Sequence, residues 1–134
     1  MEKETLKRIF YFLEKKGEHI IPLPVKIKLA MPITKEDLNV KGDLSFTHTN
    51  ITSLPEGLIV RGNLYLTYSN ITSLPEGLIV RGNLYLRSSK ITSLPKGLKV
   101  GGYLDIVNTQ LIKYTDDEFK EMIKPGFIKG GIYR

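Results

Sequence analysis

The chain of 134 residues contains no cysteine and no tryptophan. Without cysteine there is no disulfide framework, zinc–thiolate site, iron–sulfur cluster or thiol nucleophile. Histidine is scarce as well: His19 and His48 are the only two, too few for a three-histidine metal site. Long apolar runs are missing. The longest, Ile9 to Leu13, spans five residues, far short of the ~20 that cross a bilayer. Residues Met1 to Arg8 alternate acids and bases, unlike a cationic start leading into an apolar stretch. These absences lead us to expect a cytoplasmic protein with no membrane partner. Glu56, Glu76 and Asp105 are scattered acids, and Gly126, Gly130 and Gly131 match neither a P-loop nor a dinucleotide fingerprint. The expectation is therefore a protein that is not an enzyme and that carries no cofactor and no metal.

What the sequence does contain is a repeat. Residues 50–66 read NITSLPEGLIVRGNLYL, and residues 70–86 repeat the same string at a period of 20. Repeats of this length mean a solenoid, in which each unit buries its apolar face against its neighbours. The pattern extends backward to Leu38 and forward through Leu98, giving coils that begin at Leu38, Leu58, Leu78 and Leu98. A further coil is expected at Ile128-Lys129-Gly130-Gly131-Ile132-Tyr133, which aligns with Val60 to Tyr65. The alternation of Leu58 and Val60, then of Leu64 and Leu66, places these residues inward from short strands, with Ile71 and Leu74 filling the far side. Gly42, Gly62, Gly82 and Gly102 recur as a corner expected to need unusual backbone angles. Thr49, Ser69, Ser89 and Thr109 form a hydroxyl column expected to satisfy corner backbone groups.

The stretch Leu64-x-Leu66-x-x-Ser69-x-Ile71-x-x-Leu74-Pro75 resembles a short leucine-rich repeat, LxLxx(N/T/S)xLxxLP. The 20-residue spacing is similar to the short bacterial type found in secreted effectors and in many phage-encoded proteins. The resemblance covers about residues 38–112. It departs from the family where Lys41, Arg61, Arg81 and Gly101 stand in place of the usual leucine, with Val40, Val60, Val80 and Val100 one position earlier. A straighter coil with two short strands, close to a parallel β-helix, therefore remains open beside the leucine-rich-repeat reading.

The fold expected is a single β-dominated solenoid domain of about 4–5 coils, with residues 1–37 as an N-terminal helix–strand cap, 38–112 as repeats and 113–134 as a C-terminal helix and last strand. Leu6, Ile9, Phe10 and Leu13 recur at helical spacing over residues 3–16, and Gly17 stops that helix. Val25, Ile27 and Leu29 alternate with Lys26 and Lys28, which reads as a half-buried strand. Thr115-Asp116-Asp117-Glu118 is a capping box for a helix over 116–123.

Function is carried by the outward columns. The net charge is +6, and residues 38–97 hold 6 basic and 3 acidic side chains, half of that excess. Lys41, Arg61, Arg81 and Arg87 are expected to share one face with Tyr65, Tyr68 and Tyr85, the residue types that dominate binding hot spots. The expectation is a protein-binding module whose partner has an acidic or mixed surface. The resemblance implies a refinement: a phage or mobile-element inhibitor of a host defence system, acting in the host cytoplasm. The alternatives are nucleic-acid binding through interleaved Arg and Tyr, and an assembly role as a homodimer.

Overall fold

The computed structural model describes residues 3–15 and 21–134. The chain divides into two compact units, Met1–Leu38 and Asn39–Arg134, and each is taken by itself.

In the first unit, helix α1 spans Lys3–Lys15, and the stop expected at Gly17 lies outside the described residues. The strand expected over 20–31 is not there: Leu23–Lys28 form a short helix, α2. The apolar residues Ile21, Leu23, Val25, Ile27 and Leu29 fit period two, but Ile21, Val25 and Leu29 also fit i, i+4, i+8. The second periodicity wins, because Ile21, Leu29 and Met31 form a buried cluster against which Leu6 and Val25 pack. Pro24 is tolerated because it lies in the first turn, where its missing N–H is no loss. Lys26, expected outward, is 1% exposed and holds Asp37 at 2.8 Å.

The second unit is a β-solenoid. Two-residue strands alternate along the chain: β1 (Asn39–Val40), β2 (Leu44–Ser45), β3 (Ile59–Val60), β4 (Leu64–Tyr65), β5 (Ile79–Val80), β6 (Leu84–Tyr85), β7 (Lys99–Val100) and β8 (Leu104–Asp105). A 3-10 helix (Gln110–Lys113) and helix α3 (Asp116–Ile123) follow, then β9 (Phe127–Ile128) and β10 (Ile132–Tyr133). The odd strands build one parallel sheet in the order β1-β3-β5-β7-β9, and the even strands build another in the order β2-β4-β6-β8-β10. Register follows the repeat: Val40 on Val60 on Val80 on Val100 on Ile128, and Leu44 on Leu64 on Leu84 on Leu104 on Ile132. Leu58, Val60, Leu64, Leu66, Ile71, Val80, Leu84, Leu86 and Ile91 are fully enclosed. The Thr115 hydroxyl accepts from the Glu118 amide and Glu118 accepts from the Thr115 amide, so the expected capping box caps α3 over the expected residues.

One corner reading changes. Among the described glycines the left-handed ones are Gly57, Gly77 and Gly97, in the Pro-x-Gly turns. Gly62, Gly82 and Gly102 are needed for space instead: a Cβ on Gly82 would lie 2.8 Å from the Gly62 carbonyl oxygen and against Asn63 Oδ1. The hydroxyl column satisfies backbone carbonyls, as expected, within its own coil. Thr49, Ser69 and Thr109 each donate to the carbonyl three residues back, at 2.6 to 2.7 Å, whereas the buried Ser89 hydroxyl finds no such partner.

Candidate surface on the tyrosine-bearing sheet

The column Asp43, Asn63, Asn83, Tyr103, one residue before the even strands, is engaged between coils. Asp43 Oδ1 accepts from the Asn63 amide at 2.7 Å, Asn63 Oδ1 from the Asn83 amide at 2.8 Å, and Asn83 Oδ1 from the Tyr103 amide at 2.9 Å. Each side chain thus occupies a backbone donor that the tight glycine corner leaves without a carbonyl. The same asparagines reach outward: Asn63 Nδ2 donates to Tyr65 Oη and Asn83 Nδ2 to Tyr85 Oη, both at 3.2 Å.

This fixes the tyrosines. Tyr65 and Tyr85 stack face to face, 4.7 Å apart and within 2° of parallel. Tyr85 meets Tyr103 edge to face, and Tyr103 meets Tyr133 likewise. The Tyr85 and Tyr103 hydroxyls share a 2.7 Å hydrogen bond. That bond, reinforced by burial and by the neighbouring Tyr85, Tyr133 and Asp105, pushes the Tyr103 phenol up to about 12.

Beside the ladder runs a ridge of left-handed turns. His48, Tyr68, Ser88 and Asn108 occupy the same repeat position, with φ of 58°, 56°, 56° and 57°. Non-glycine residues avoid this region. His48, Tyr68 and Ser88 are each third in a tight turn closed by the Thr49, Ser69 and Ser89 amides on the carbonyls of Phe46, Leu66 and Leu86, and their own amides bond to the carbonyls of Thr67, Arg87 and Val107 in the following coil. His48, Tyr68 and Asn108 are exposed and Ser88 is half-buried, and the His48 ring stacks on Tyr68 at 4.8 Å.

The cations named from sequence are distributed over both sheets. Lys41, Arg61 and Arg81 are exposed at the corner that follows the odd strands, and Arg61 Nε donates to Asn39 Oδ1 on β1 at 3.0 Å. Arg87 follows β6, on the tyrosine-bearing sheet, and pairs with the buried Asp105 at 3.1 Å. Tyr65 and Tyr85 are thus brought together, Tyr68 is brought against His48, and Arg87 against Asp105. Sequence reading missed Asp105 as the arginine's partner and Tyr103 as a ladder member; the signal for both was their departure from the repeat's tyrosine and asparagine.

Among the described residues, no group of three or more His, Asp or Glu side chains could hold a metal. Nor is any helix among them long and apolar enough to cross a membrane. No protein-family model, curated protein or solved structure matches the chain.

Proposed function

We propose that the solenoid is a non-enzymatic protein-binding module whose contact surface is the outer side of the tyrosine-bearing sheet together with its left-handed ridge. One observation carries this reading. Residues 50–69 and 70–89 differ only at Thr67 against Arg87 and Tyr68 against Ser88; the second pair is on the ridge and the first immediately precedes it. The frame is copied while the ridge residue and the residue before it vary, which is how one scaffold presents different contacts. Tyr68 is 54% exposed, and its stack on His48 holds it in place before any partner arrives, which lowers the ordering cost of binding.

The self-stacked tyrosines weigh against the nucleic-acid reading. Base stacking uses free ring faces, and the Tyr65–Tyr85 stack already occupies one face of each ring. On identity, the repeat length and LxL spacing support a short leucine-rich-repeat-like solenoid, with β9 and β10 as its fifth coil. The resemblance and small size support a phage- or mobile-element-encoded inhibitor of a host defence system, acting in the cytoplasm.

The test is affinity capture from bacterial lysate with nuclease present, using the wild type, the ridge variant Tyr68→Ser/Arg87→Ser and the corner variant Arg61→Glu/Arg81→Glu. The expected result is a stoichiometric protein retained by the wild type and lost on the ridge variant. Capture that disappears with nuclease, or equal capture by all three, refutes the reading.

A further inference from the structure

Along the ridge each coil adds one side chain to a stack, and the stack is broken at Ser88. His48 and Tyr68 lie 4.8 Å apart and within 7° of parallel, which is the spacing of neighbouring parallel strands. One face of Tyr68 is thus covered by His48. The other looks along the stack toward the third coil, where the same repeat position carries a serine and no ring. Ser88 has the backbone of Tyr68, with φ of 56° at both, so only the short side chain leaves the place of a third ring open. On the coil beyond, Asn108 Nδ2 donates to Ser88 Oγ at 3.0 Å, which holds that carboxamide as a far wall. Two coil spacings, about 9.6 Å, separate the Tyr68 and Asn108 positions, room for one flat group between them. The notch is accessible: Tyr68 is 54% exposed.

The sequence around the notch changes with it. Residues 70–86 copy 50–66, and then three of the four positions from 87 to 90 depart from 67–70: Arg87 for Thr67, Ser88 for Tyr68 and Lys90 for Asn70. One ring is lost and two cations are gained. Arg87 is answered by Asp105 at 3.1 Å. Lys90 is exposed and forms no ion pair among the described residues. In its column, Asn70 Nδ2 donates to Asn50 Oδ1 at 3.4 Å, a contact that a lysine does not continue. An unpaired cation two residues from a ring-sized notch favours a flat group with a negative charge beside it.

We infer that the notch over Ser88 seats an aromatic side chain of a protein partner, stacked on Tyr68, with a neighbouring carboxylate of that partner on Lys90. This rests on the protein-binding reading of the ridge and gives the partner's chemistry there. The inserted ring becomes the third member of the His48–Tyr68 stack. Offset overlap is enough, because aromatic pairs prefer it to full eclipsing. Tyr65 on Tyr85, at 4.7 Å and 2°, is the same arrangement built from this chain's own rings. An aliphatic side chain has no flat face to match. A nucleotide also joins a flat ring to an anion, but its phosphate calls for more than the single unpaired cation at this notch, whereas one carboxylate matches it.

The test is an NMR titration of the 134-residue chain with N-acetyl-Phe-Asp-amide, N-acetyl-Leu-Asp-amide, N-acetyl-Phe-Asn-amide and adenosine monophosphate, each to about 20 mM, the range suited to one exposed side-chain contact. The Phe-Asp peptide is expected to shift the Tyr68, Ser88 and Lys90 signals saturably, the Leu-Asp peptide to leave them in place, and the Phe-Asn peptide to bind about 2–5-fold more weakly. Ser88→Tyr, which fills the notch, and Tyr68→Ser, which removes its wall, each abolish the shifts. Both variants install the residue that an adjacent coil already carries at the same φ, so their circular dichroism spectra are expected to match the wild type. No saturable shift with the Phe-Asp peptide overturns the inference. So do equal binding of the Leu-Asp or Phe-Asn peptide, tighter binding of adenosine monophosphate, and binding retained by Ser88→Tyr. The lysate capture separates the two levels. A protein lost on the ridge variant but retained by Ser88→Tyr overturns the notch and leaves the protein-binding reading standing. Peptide binding by a wild type that captures no protein does the reverse.

Discussion

Replacing Gly82 by alanine tests whether the corner glycines serve space or conformation. The new Cβ would lie 2.8 Å from the Gly62 carbonyl oxygen and against Asn63 Oδ1, and ordinary van der Waals contact there begins about 0.6 Å further out. Neither obstacle is the free end of a flexible chain: one is backbone, and the other is held by the Asn83 amide at 2.8 Å. The coils must therefore part. A shift of about 0.6 Å carries the Gly82 N–H to Gly62 O bond from 2.9 Å to the limit of hydrogen bonding. The flanking bonds, Arg81 N–H to Val60 O at 2.9 Å and Asn83 N–H to Asn63 Oδ1 at 2.8 Å, are strained with it. With each bond worth about 0.5–1.5 kcal/mol net, the loss is roughly 2–4 kcal/mol, or about 10–20 °C in Tm for a unit this size. The control is internal. Gly42 occupies the same repeat position with nothing within 4 Å of its would-be Cβ, so Gly42→Ala is expected to change stability by less than ~0.5 kcal/mol. Urea denaturation of both variants measures the difference. Equal stabilities for the two would refute the spacing argument, because sequence position and residue type are otherwise matched.

Two titrations give further checks. Burial pushes the Asp37 carboxyl up, but hydrogen bonds from Lys26 and from the Thr34 amide and hydroxyl, together with the Lys26 charge, outweigh it and hold the group below its ordinary value. A depressed folded pKa contributes stability that is present above the unfolded value near 3.9 and lost as pH falls through the folded one. The first unit is therefore expected to loosen from about pH 4 downward, and Asp37→Asn to flatten that acid limb in a fluorescence or circular dichroism titration. Tyr103 runs the other way. Its folded pKa of about 12 exceeds the ordinary value of 10.0, so its contribution is complete below pH 10 and lost between 10 and 12. Tyr85→Phe should bring the Tyr103 phenol down toward 10 in an ultraviolet titration, and an unchanged value would discount the shared hydroxyl bond.

Register was legible in the sequence because two identical strings stack in the alignment that superposes them, and Val60 on Val80 admits no rival within a 20-residue period. The capping box was legible because its chemistry is local. What escaped was decided by space and neighbours. Helix α2 was hidden because every second residue being apolar includes every fourth. The glycine corner announced that only glycine fits, but a repeat cannot say whether φ or the coil below is the reason; the free space at Gly42 and the crowding at Gly82 separate the two.

The ridge is the harder case. His48, Tyr68, Ser88 and Asn108 share no side-chain property, so no pattern in residue type marks the column as left-handed. At the first three its conformation is set by a tight turn of the backbone, closed by the Thr49, Ser69 and Ser89 amides on the carbonyls of Phe46, Leu66 and Leu86. A position whose backbone is fixed by its neighbours can change side chain without moving the frame. That independence allows Tyr68 and Ser88 to differ between coils that are otherwise almost identical, and it makes the ridge, more than the internally bonded tyrosine ladder, the part of this surface free to vary.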